Sequence, residues 1–172
     1  MTGSTFGFGE PTTSAATVAT FALDKYEVTV GRFRNFVKAF KAHTPHGAGA
    51  HPLIANSGWL AAWDTNVPTD PAELATQVQC DATYQTWNAS GANDRLPMNC
   101  VYWHTAFAFC ACDGGRLPTE YAAAGGAEER VYPWGSAAPS STNAVYYCMG
   151  DGSAAASCTF ADIQPVGSRP LE

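Results

Sequence analysis

From His43 to Leu96 the sequence keeps neither a helical nor a strand period. Pro, Gly, Asn and Asp recur throughout, broken only by Trp59, Trp63, Trp87 and a short helix-compatible run from Pro71 to Val78. So long an irregular stretch within one domain must be ordered by anchors other than hydrogen-bond ladders, since backbone polar groups are not buried without partners. The tryptophans and the cysteines are the available anchors. The chain is therefore expected to have little regular secondary structure and long loops.

Periodic segments flank this stretch. Phe6 and Phe8 alternate across Gly7 as in a short edge strand, and Phe21–Val28 alternates strongly enough to predict another strand. Thr29 is placed to cap a helix whose apolar stripe is Val30, Phe33, Val37 and Phe40, with Arg32, Arg34 and Lys38 toward solvent. A second helix is predicted from Trp103 to Cys112, with Trp103, Ala106, Phe107 and Cys110 on its core face and Gly114-Gly115 ending it. These are the two main helices; the strands are short.

Six cysteines stand at positions 80, 100, 110, 112, 148 and 158, and none forms a C-x2-C knuckle of the kind that holds structural zinc. Disulfides are the expected use. Cys148 and Cys158 flank a Gly-, Ala- and Ser-rich loop, Met149 to Ser157, that can fold back on itself, and Cys80 and Cys100 flank a polar loop. Both pairs are expected to be bonded. Cys110 and Cys112 lie two apart on the second predicted helix, where side chains diverge, so they are expected to be buried free thiols rather than a soft-metal pair. This density of cysteine points to an exported or extracytoplasmic setting.

Nine Lys and Arg against fifteen Asp and Glu leave a formal net charge of −6, with no basic cluster to collect phosphates. No nucleic-acid partner is expected. Apolar runs such as Ala106–Cys112 fall far short of the roughly 20 residues that span a bilayer, so no membrane partner is expected either. Met1-Thr2-Gly3-Ser4 begins no export signal, and Leu171-Glu172 reads as a vector-derived scar after a single domain over residues 1–170.

Four stretches in register carry a family resemblance. They are Leu23-Asp24-Lys25-Tyr26-Glu27-Val28-Thr29, Leu96-Pro97-Met98-Asn99-Cys100-Val101-Tyr102-Trp103, Gly115-Arg116-Leu117-Pro118-Thr119-Glu120 followed by Tyr132-Pro133-Trp134-Gly135, and Gln164-Pro165-Val166-Gly167-Ser168. Their order and spacing resemble the formylglycine-generating-enzyme, or sulfatase-modifying-factor, family. The resemblance implies an α+β fold related to C-type lectins. It also implies oxidation of a sulfatase cysteine to formylglycine through a copper ion on two cysteine thiolates, and structural calcium at the position Asn143 resembles.

Two departures qualify what is implied. An Ala-Glu-Trp-Glu expected before Tyr121 is missing, and the family's Gly-Asn-Val-Trp-Glu-Trp and Gly-Gly-Ser-Trp motifs and catalytic cysteine pair do not follow Ser168. The copper-ligand cysteines thus have no counterpart among the six present. The chain is expected to be the N-terminal part of such a domain, without oxidase activity.

The remaining constellations are few. His43, His46 and His51 share a Gly/Pro loop and form a candidate zinc or copper site, although histidines in such loops are commonly only solvated. His104 is expected to be a half-buried, hydrogen-bonded histidine. Trp59, Trp63, Tyr84 and Trp87 either anchor a protein or carbohydrate ligand, as in a non-catalytic lectin-like module, or fill the core under the long loop. No G-x-S-x-G, Walker loop or H-E-x-x-H occurs, so a hydrolase would have to lack a recognisable motif.

Overall fold

The computed structural model describes residues 5–8, 14–41, 43–123, 125–128, 130–146, 148, 150–151 and 157–169. The expected scar at 171–172 and most of the Met149–Ser157 loop lie outside them. Two strands, β1 (Thr5–Phe8) and β2 (Ser14–Thr17), pair antiparallel with Thr5 opposite Thr17. Among the described residues four α-helices follow: α1 (Val30–Ala39), α2 (Pro71–Gln77), α3 (Trp103–Cys112) and the single turn α4 (Glu120–Ala123).

Helix α1 begins where Thr29 accepts the backbone N–H of Arg32 at 3.2 Å, which satisfies one of the helix's free donors. It buries Val30, Phe33, Phe36 and Val37, with Phe40 just beyond its end. Helix α2 is capped by Asp70, which accepts from the N–H groups of Ala72 and Glu73, both at 2.8 Å, with Pro71 in the first turn. Leu74 and Val78 carry it into the core.

Helix α3 is the axis of the core. Phe107 and Phe109 are both buried although two residues apart put them on opposed sides of a helix. Phe109 stacks on Phe33 at 5.7 Å and meets Phe36 edge-on at 5.5 Å, while Phe107 turns toward Trp59 (5.9 Å) and Trp63 (5.5 Å). The helix therefore carries little amphipathic signal and is covered on two sides. The single face expected from the sequence is corrected accordingly: Trp103, at 52% exposure, is an outer residue. Gly114, at φ 78°, stops the helix in a conformation that L side chains rarely adopt.

Two further expectations are corrected. No strand forms over 21–28; only a Thr29–Pro97 bridge appears, flanked by bonds from Met98 N to Val28 O (2.8 Å) and Val30 N to Leu96 O (2.9 Å). Arg34 does not face solvent. Its guanidinium, 12% exposed, binds Asp94 at 3.0 and 2.7 Å and the carbonyls of Asn88 and Ala89, and lies over the Trp87 ring at 5.0 Å. The Trp134 indole is half-buried; it stacks on Tyr132 and donates to the Ala137 carbonyl at 3.0 Å.

Candidate functional site

The cysteines divide into two uses. Cys80 is bonded to Cys100 and Cys148 to Cys158, whereas Cys110 and Cys112 are free. Cys110 is half-buried, and burial, with Asp24 and Asp113 adding to it, pushes its thiol pKa up. It lines an open groove of about 840 Å³ between α1, α3 and the extended 18–28 segment, floored by Phe33, Val28, Met98 and Phe109. Cys112 is exposed and takes no part in that groove. The helix thus points its two thiols in different directions, as the spacing of two residues requires. The expectation that both are buried is corrected: Cys112 is exposed and Cys110 is only half-buried.

The histidine loop is ordered by the tryptophans. Gly47 donates to the Trp59 carbonyl at 2.8 Å and Trp59 returns a bond to Ala48 at 2.9 Å, clipping the two segments together. They approach so closely that a Cβ on Gly58 would meet the Gly47 carbonyl oxygen at 2.3 Å. Trp59, 1% exposed, donates its indole N–H to Asp64 Oδ1 at 2.7 Å. The other oxygen, Oδ2, sits 3.0 Å from His46 Nε2 and 3.7 Å from His43 Nδ1. The bond to His46, then that from Trp59, holds the Asp64 carboxyl below the usual carboxylate range. His43 and His46 are thus brought together, but His51 is not. Its Nδ1 accepts from the Leu53 N–H at 3.2 Å and its own N–H binds Ser57. Asp64, 18 residues from His46, takes the third place and carried no signal in the sequence.

The four aromatic candidates separate by burial. Trp59 and Trp87, at 1% and 7% exposure, are core residues with no face for a ligand, so the binding role considered for them is withdrawn. Trp63 is half-buried against Trp59, Trp103 and Phe107. Tyr84 is exposed, and its hydroxyl donates to the Cys158 carbonyl at 3.0 Å, tying one disulfide loop to the other. His104 is half-buried among Trp59, Trp63 and Trp103, its Nε2 3.4 Å from the Asn66 amide nitrogen.

At the C-terminal end, Asn143 Oδ1 accepts from the hydroxyls of Ser140 (3.2 Å) and Thr142 (2.9 Å). The buried Asp162 carboxylate accepts from the N–H groups of Gly150 (3.1 Å), Asp151 (3.5 Å) and Thr159 (2.8 Å), and from the Thr159 hydroxyl (3.3 Å).

Comparison with known proteins settles the family. The model of the sulfatase-modifying factor enzyme 1-like domain matches residues 2–170. This chain belongs to that family. Within it, the inactive C-alpha-formylglycine-generating enzyme 2 of Bos taurus is 32% identical over 145 residues, covering 74% of this chain and 46% of its own length. The Mus musculus protein of the same name is 32% identical over 147 residues, covering 74% and 44%. This family member therefore spans under half the length of the curated relatives it matches. No solved structure matches it.

The metals implied by membership fit the described residues poorly. A copper ion on two thiolates needs sulfurs that converge, and the two free thiols of this sulfatase-modifying-factor domain diverge on α3 while the other four are in disulfides. Calcium takes 6–8 oxygen ligands. Here Asn143 Oδ1 and the Asp162 carboxylate already accept bonds from the protein's own donors.

Proposed function

We propose that this domain is a non-catalytic member of the family: an exported α+β module, related to C-type lectins, that holds a protein or carbohydrate ligand without oxidising it. The observation that carries the reading is the placement of the two free thiols, one half-buried in the groove and the other exposed outside it. The family's copper chemistry, as the resemblance implies it, places two soft thiolates on one ion, and this geometry offers one at a time. The match to relatives whose printed names call them inactive supports the same reading. The groove has the traits of a binding site that lacks chemistry, with an apolar floor and with Arg32, Asp24, Asp113 and Arg116 at its margin. Residues 1–170 form one such domain.

The test is direct. A cysteine peptide of the kind found in sulfatases, incubated with this chain, copper and oxygen and then treated with an aldehyde-selective label, should show no labelling above a control without the chain. Labelling above that control would overturn the proposal.

A further inference from the structure

We infer that His43, His46 and Asp64 form a site for a divalent transition-metal ion of the zinc type, independent of the thiols and of the non-catalytic reading above. One ligand atom from each of the three lies within 4.8 Å of the other two. Zinc–nitrogen and zinc–oxygen bonds of about 2.0–2.2 Å in tetrahedral array put neighbouring ligand atoms roughly 3.3 Å apart. The 3.0 Å separation from His46 Nε2 to Asp64 Oδ2 and the 3.7 Å separation from His43 Nδ1 to the same oxygen bracket that value. A small adjustment of exposed side chains would admit the ion.

The carboxylate is aimed by a buried neighbour. Trp59 holds Oδ1 at 2.7 Å, which leaves Oδ2 for the histidines, and a donor behind a ligating carboxylate is the usual support of a metal site. The loop that carries His46 is fixed to the Trp59 segment by the paired backbone bonds and the close approach at Gly58, so the ligands are held together before any ion arrives. The ligand set is two imidazoles and one carboxylate, which suits zinc and its neighbours better than calcium or magnesium. Three protein ligands leave a fourth position for water or for a carboxylate from a ligand. Both histidines are about half exposed, so that position opens to solvent.

Zinc chloride titrated calorimetrically into the untagged, chelator-stripped chain, with Cys110 and Cys112 alkylated, should bind one ion per chain. His46→Ala and His43→Ala should abolish that binding, and His51→Ala should leave it unchanged. Trp59→Phe, which keeps the ring but removes the supporting donor, should weaken it about 10–100-fold. Far-UV circular dichroism of each variant separates lost ligation from lost folding. Absence of one-to-one binding in the unmutated chain, or binding that survives both His→Ala changes, would overturn the assignment. Loss in His51→Ala would overturn it equally, by moving the site elsewhere.

Discussion

Residues 43–67 and the described residues of 139–169 are both poor in regular structure, yet they are ordered by different means. The first is tied down by burial: Trp59 and Val67 enter the core and Trp63 packs against it, with paired backbone bonds clipping 47–48 to 59. Among its described residues the second has no fully buried apolar side chain, and Val145, Tyr146 and Phe160 face out. It is held by the Cys148–Cys158 bond and by Asp162, which gathers N–H groups from three residues. Gly150 lies so close to Asp162 that a Cβ there would overlap its carbonyl oxygen, which leaves no room for a side chain at this position. The lesson is that irregular chain is ordered either by apolar burial or, where apolar residues are lacking, by covalent and hydrogen-bonded closure.

The comparison is broken most directly by removing one anchor from each region. Trp59→Ala should be the more damaging, at about 3–5 kcal/mol, since it loses the burial of an indole and leaves a cavity against Phe107 and Trp63. A denaturant midpoint close to that of the unmutated chain would show that the 43–67 segment is not held by burial. Replacing Cys148 and Cys158 together by Ser should be smaller. The bond closes a separation of 10 residues, which the chain-entropy relation values at about 2.7 kcal/mol. Hydrogen exchange should quicken across 139–169 and leave 43–67 unchanged; exchange that rose equally in both would dissolve the distinction.

A third irregular segment, residues 84–100, sharpens the contrast because it uses both means. Trp87 is buried beneath the guanidinium of Arg34, which also binds Asp94. Arg34→Ala should lower stability by roughly 1–2 kcal/mol, the range for charge-assisted bonds with one partner partly in solvent. Arg32→Ala, two residues along and paired with the exposed Asp24 and Asp113, should lower it by less than about 1 kcal/mol. Equal effects in chemical melts would mean that burial does not separate the two arginines. The smallest effect concerns rates. Burial raises the Cys110 thiol pKa, so near neutral pH it holds less thiolate than a free cysteine, and iodoacetamide should modify the exposed Cys112 first. Faster modification of Cys110 would contradict its half-buried placement.

Sequence periodicity was informative where one face of an element meets the core. The stripe of α1 and its cap at Thr29 are local features, and local spacing records them. It misled at α3, because a helix covered on two sides has no single stripe; Trp103 was therefore assigned inward and Phe109 passed over. Arg34 shows the same limit, since a charged residue on a helix face reads as solvated until Asp94 and Trp87 arrive from 60 and 53 positions away. The histidine cluster was half legible: His43 and His46 share a loop, but Asp64 joins them only through the tertiary clip at Trp59. The family signature rested on short motifs in register, which survive irregular backbone because each fixes its own turn.

The account's central claim is that four of the six cysteines hold loops and that the remaining pair cannot act together. Intact-mass measurement after alkylation of the denatured, unreduced chain, purified without reductant, tests it most directly. Two adducts are predicted, mapping to Cys110 and Cys112, and six after reduction. Four or more adducts before reduction, or any label on Cys148 or Cys158, would contradict it.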